Sequence, residues 1–152
     1  MSEFHAAPFN IRYSSMGDTS EKVFESLYPN FHRLGLNRPN MNVNALPAQM
    51  RYLPDYLTTA GMVEVMGIGR DKTLKLKFEK MHALQQWTSI MQVHLFVYDS
   101  HRRKWWIAPI EEWQQRCVEH ATVAYFSDNN KPYMQLSSDN FPTEGQRYAP
   151  AT

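Results

Sequence analysis

Apolar positions along the chain change their period several times, and each change predicts an element. Val23, Phe24 and Leu27 recur at near-helical spacing behind Asp18-Thr19-Ser20, which reads as a helix start; Pro29 and Asn30 end that helix. Residues 30–50 are rich in proline and asparagine and read as loop, with one short strand around Met41–Ala45. Arg51–Lys80 predicts a short strand ending at Pro54-Asp55, a turn over Thr58–Gly61, and a second strand from Met62 to Gly67. A glycine-bearing bend and a basic helix over about Lys72–Ser89 follow, with Leu74, Phe78, Met81, Leu84 (or Gln85) and Trp87 as its buried stripe. Val93–Tyr98 is a short apolar run bounded by Asp99-Ser100, hence a buried strand. Trp105–Ala108 predicts another, stopped by Pro109, and Ile110–His120 a helix with proline at its start. Thr122–Phe126 and Pro132–Leu136 flank a polar turn and predict a hairpin.

This order is that of a small mixed α/β (α+β) domain. We divide it into an N-terminal arm over 1–16, one domain over 17–138 and a tail-like stretch over 139–152. A chain of 152 residues, 43% hydrophobic, is long enough to bury a core and too apolar to be disordered.

Composition removes several chemistries. One cysteine, Cys117, allows neither a disulfide framework nor a cysteine-based zinc site within one chain, and it reads as a core thiol. The six histidines have no metal-ligand spacing. Gly67-Ile68-Gly69 is too short for a phosphate-cradling loop. No run is long enough to span a membrane, and the N-terminus has no secretory pattern, so the cytoplasm is the simplest address. A net charge of +1 does not mark a nucleic-acid binder, so any basic footprint must be local.

Two such footprints exist. Arg70, Lys72, Lys75, Lys77 and Lys80 cluster after the predicted hairpin, and His101-Arg102-Arg103-Lys104 precede Trp105-Trp106. Basic groups can track phosphates and aromatic rings can stack bases, although charge runs are more often solvated faces. Beside the first cluster stand two acids. Asp55 follows a proline that cannot donate to a ladder, which puts it at a strand start or edge. Glu64 shares a strand face with Met62 and Met66, where an unpaired carboxylate would be costly. Paired across a hairpin, the two could hold a hard divalent cation.

Pro54-Asp55, Glu64 two residues before Met66, Gly67, and the upstream helical acid Glu21 (with Glu25 its competitor) together resemble the PD-(D/E)XK nuclease superfamily. The resemblance covers about residues 17–110 and is nearest to small phage-encoded endonucleases and Holliday-junction resolvases, of the sort found in phages of actinobacteria. It implies a restriction-endonuclease-like core, a mixed central sheet flanked by helices. It implies metal-dependent DNA hydrolysis, on branched DNA in the resolvases, with Mg²⁺ or Mn²⁺ held by Asp55, Glu64 and Glu21. DNA contacts would come from Arg70, Lys72, Lys80, Arg102, Arg103 and Lys104, and resolvases of this kind usually act as homodimers. One position departs from the pattern, since Met66 stands where the family has lysine. Either a downstream lysine replaces it, Lys77 first and Lys75 second, or the protein is an inactive nuclease fold that binds DNA or a protein partner.

Overall fold

The computed structural model describes residues 19–34 and 47–149. The N-terminal arm, the strand expected around Met41–Ala45 and the last three residues lie outside them. Helix α1 covers residues 19–27. It is followed by β1 (Phe31–Arg33), α2 (Ala48–Arg51), β2 (Tyr56–Thr58), β3 (Gly61–Ile68), β4 (Thr73–Lys77), α3 (Phe78–Trp87), β5 (Val93–Asp99), β6 (Lys104–Pro109), α4 (Ile110–His120), β7 (Thr122–Tyr125) and β8 (Pro132–Ser137). A 3₁₀ turn, Ser138–Asn140, leads to β9 (Gln146–Arg147).

The main sheet has the order β1-β2-β3-β5-β6-β9. It is antiparallel except at its centre, where β3 and β5 run parallel with Glu64 beside Leu95 and Gly67 beside Tyr98. A parallel neighbour needs a crossover, and β4 with α3 supplies it. Strand β4 joins β8 and β7 in a second, three-stranded antiparallel sheet. The fold is thus a single mixed α/β domain with helices packed on a mixed sheet.

Alternation along the central strands separates two apolar layers. Met62, Leu95 and Val97 face α3 and α4, in a core completed by Leu84, Trp113 and the second sheet's Leu74, Leu76 and Leu136. Val63, Phe96, Tyr98 and Trp105 face the other way, against Val23 and Phe24 of α1. Trp113 locks α4 down by donating its indole N–H to the carbonyls of Leu95 and Ala108, at 3.1 and 3.2 Å.

The expected basic helix over Lys72–Ser89 is instead a strand followed by a shorter helix. Thr73-Leu74-Lys75-Leu76-Lys77 alternates strictly, Leu74 and Leu76 being buried and Lys75 exposed, a period that suits a strand facing one core. The helical stripe contracts accordingly: Met81, Ala83 and Leu84 are buried, whereas Phe78 is 41% exposed. The short strand expected to end at Pro54-Asp55 is also corrected. Helix α2 occupies Ala48–Arg51, and β2 begins only after Asp55. From Asp139 on, tail-like composition gives way to packing: Phe141 enters the core and β9 pairs with β6. Gly145 lies so near the Trp106 ring that a Cβ would sit 2.7 Å from it.

Candidate active site

Asp55 and Glu64 come together through the β2–β3 hairpin. The last pair of that ladder is Tyr56 with Val63, so one step further Asp55 comes alongside Glu64. Asp55 lies just outside the strand because Pro54 before it has no N–H for the ladder. Its carboxylate turns inward, and Oδ2 accepts the backbone N–H of Val65 at 2.9 Å. Its backbone carbonyl accepts the N–H of Leu34, tying the same point to the segment after β1. Glu64 lies mid-strand and is buried.

The partner of Glu64 is Lys80, from the first turn of α3, with Nζ 2.6 Å from Oε2. Both groups are largely removed from water, at 16% and 5% side-chain exposure, so this pair is not a solvated surface contact. A lysine at a helix start opposes the helix dipole, and α3 begins without a side-chain cap; the Glu64 carboxylate offsets that local cost. The ring of Tyr52 lies 6.0 Å from Nζ, and the Tyr52 hydroxyl donates to Glu79 at 2.7 Å.

Asp55 carries a clear electrostatic signature. Burial first, then the neighbouring Glu64 charge, push its carboxyl well above the ordinary range. Lys80 and the Val65 N–H pull it down, and Glu21 adds a weaker upward push. Two acids and one ammonium therefore share one locus, where a positive charge would relieve the repulsion. Glu21 is buried on α1 and held by Arg33 of β1, at 2.6 Å. Its helical neighbour Glu25 accepts the Tyr56 hydroxyl at 2.5 Å and lies 3.6 Å from Arg33.

Among the described residues no three or more His, Cys, Asp or Glu side chains converge into a ready metal cage. Two adjacent carboxylates with hard oxygen donors still match what Mg²⁺ takes when substrate phosphates and waters complete its shell. The residues fit such an ion through Asp55 and Glu64, while Glu21 is engaged by Arg33.

The remaining candidates separate. Lys75 projects from β4 and pairs with Asp71 at 3.7 Å. Lys77 ends β4 with its ammonium 5.4 Å above the Phe126 ring, and burial lowers its pKa. Neither meets Glu64. It is Lys80, expected as a phosphate contact, that reaches the acids. Sequence reasoning missed this because it ran one helix through β4; with the helix starting at Phe78, Lys80 falls in the first turn, beside the strand that carries Glu64.

Arg102 belongs to the fold. It reaches Asp99 at 2.8 Å and the carbonyls of Arg70 and Gly69 at 2.9 and 3.3 Å. Asp99 in turn caps the N–H groups of His101 and Arg102. Arg70, Lys72, Arg103 and Lys104 are exposed; Lys72 and Arg103 both have left-handed backbone, with φ of 57° and 55°. Met66 lies on the Glu64 face and packs partly buried against the α3 core.

No protein-family model matches this chain, and no curated protein matches it. Among solved structures, the chain is similar to a Holliday junction resolvase of the archaeal hyperthermophile Archaeoglobus fulgidus. The match spans 86% of this chain and 93% of that one, at 11% identity and a TM-score of 0.43. A likeness of that size carries no inference about what this chain does. No helix among the described residues is long and apolar enough to cross a membrane.

Proposed function

We propose that this chain is a divalent-metal-dependent endonuclease of the PD-(D/E)XK type, acting on DNA, in which Lys80 of α3 replaces the lysine missing at Met66. The observation that carries the reading is the 2.6 Å contact of Lys80 with Glu64, beside an Asp55 carboxylate that accepts the Val65 N–H. Asp55 and Glu64 would hold Mg²⁺ or Mn²⁺; such an ion, when bound, polarises a phosphodiester and acidifies a water.

The chain's own groups have distinct tasks. The Val65 N–H keeps one lone pair of Asp55 occupied and so orients the other oxygen. Lys80 neutralises Glu64 in the resting site and offers its ammonium to the phosphate as charge develops there. Lys77 lies near enough to Lys131 to feel its charge, and Lys131, though paired with Glu79 at 3.2 Å, adds to a locally basic edge beside α3 that suits a polyanion. Branched DNA and a homodimeric assembly are the finer expectations from the motif resemblance.

The test is cleavage of plasmid, single-stranded and four-way-junction DNA with Mg²⁺ or Mn²⁺. Asp55→Ala, Glu64→Gln and Lys80→Met should each abolish cleavage, whereas Lys75→Ala should retain it. Cleavage persisting in Asp55→Ala and Glu64→Gln would overturn the assignment. The second reading, a nuclease fold that only binds, is favoured by Met66; it would be marked by metal-independent DNA binding with no cleavage of any substrate.

A further inference from the structure

Across the sheet from the acids, the structure contains a cavity of about 330 Å³ lined by Thr19, Lys22, Val23, Tyr98, Arg103 and Tyr148. From this cavity we infer a second site that binds one nucleoside phosphate unit. It lies apart from the Asp55 and Glu64 carboxylates. Tyr98 and Val23 belong to the layer formed with Val63, whereas Glu64 projects from the opposite face of β3. Tyr98 also lies beside Gly67, three residues along the sheet from the Glu64–Leu95 pair, roughly 10 Å further on at the rise of a strand.

The lining has the two chemistries a nucleotide needs. Lys22 and Arg103 put two cations at the mouth, and neither has an ion-pair partner among the described residues. Two unpaired cations at one opening suit a phosphate. The floor is apolar and aromatic: Val23 and Tyr98 are buried, and the half-buried Tyr148 ring forms a wall against which a base can stack. The volume is near the lower end of small-molecule sites, about 300–1,000 Å³, which suits a single nucleotide.

The walls are tied together from separate parts of the chain. The Tyr148 N–H donates to the Arg103 carbonyl at 2.8 Å, and the Tyr148 and Ser26 hydroxyls lie 3.1 Å apart. The Tyr98 and Tyr148 rings meet edge to face at 5.8 Å. Arg103 closes the β5–β6 turn in left-handed backbone, φ 55°, as residues ending hairpin loops commonly do. The pocket is thus preformed, which reduces the ordering cost of binding.

The nucleotide could be free or an unpaired residue of a DNA strand. Both sources are tested by calorimetric titration of the full chain in the Asp55→Ala background, which keeps DNA uncut. The probes are deoxyadenosine monophosphate, a short single-stranded oligodeoxynucleotide and inorganic phosphate. We expect saturable binding of the nucleotide or the oligonucleotide, the tighter of the two naming the source. Lys22→Gln and Arg103→Gln should each weaken it roughly tenfold, with melting temperatures unchanged because both side chains are exposed. Tyr148→Ala should weaken both nucleic-acid probes. The inference is overturned if neither probe binds, if the Lys22→Gln/Arg103→Gln double variant binds as tightly as the parent, or if inorganic phosphate binds as tightly as the nucleotide. None of these outcomes depends on cleavage, so the site stands or falls separately from the nuclease assignment.

Discussion

Replacing Lys80 with methionine removes the ammonium from a pair that water barely reaches, and keeps most of the side chain's volume. Lys80 and Glu64 are 16% and 5% exposed and 2.6 Å apart. A solvent-exposed pair would contribute about 0–1 kcal/mol, but stranding one charge of a buried pair costs about 3–5 kcal/mol. Because Lys80 keeps some access to water, we take the lower end, about 3 kcal/mol, which lowers the melting temperature by roughly 6–12 °C in a domain of this size. Lys80 also counters the burial and repulsion that raise the Asp55 pKa, so its loss pushes Asp55 further toward its protonated form. Glu64→Gln should cost much less than Lys80→Met, since it relieves the repulsion on Asp55 and leaves a lysine whose flexible stem can turn toward solvent. The Lys80→Met/Glu64→Gln double variant should recover most of the loss, giving a coupling energy of about 2 kcal/mol in a urea-denaturation cycle. Additive single effects, or a Lys80→Met cost below about 0.5 kcal/mol, would refute a buried, energetically coupled pair.

Three further predictions rest on other parts of the molecule. Arg102→Ala leaves the fully buried Asp99 carboxylate with backbone donors alone, and should destabilise the fold by about 3 kcal/mol in thermal or urea melts; unchanged stability with weakened DNA binding would return Arg102 to the interface. Gly61 has φ 124°, and a Cβ there would lie 2.3 Å from the Gln92 carbonyl, so Gly61→Ala should cost about 2–3 kcal/mol and loosen the hairpin that brings Asp55 to Glu64, read as hydrogen-exchange protection of Val65. Burial pushes the Cys117 thiol up to about 11. Its reactive thiolate therefore grows with pH but is on the order of one molecule in a thousand at pH 8, so thiol reagents should label the native chain far more slowly than the urea-unfolded chain. The same shift means the native state binds the thiol proton more tightly than the unfolded state. The Cys117 contribution to stability is thus complete below the unfolded thiol pKa and is lost as pH rises through 11.

Much of the fold was legible along the chain because local patterns and tertiary demands agree. The helix ending at Pro29, the strand starting at Val93, the helix Ile110–His120 and the hairpin around Asn129 each carry their own boundary signals, and packing had only to accept them. Asp55 and Glu64 could be paired from sequence for the same reason: a short turn dictates which residues face each other across a hairpin. Lys77, Lys75 and Lys80 could not be ranked that way. They lie within six residues in one basic run, and their fates depend on where β4 stops and α3 begins. That boundary follows from the burial of Leu74 and Leu76 against β8, a strand some sixty residues away. Likewise, the i,i+3 spacing of Asp99 and Arg102 is local, but only the fold sets Arg102 against the Gly69 and Arg70 carbonyls and Arg103 in a cavity with Tyr148. Sequence placed Asp55 and Glu64 across one hairpin from each other and set which face of β3 Glu64 takes. Only the tertiary structure decided which cation meets them, because a lysine's partner is set by contacts between elements distant in the chain and not by the period of its own segment.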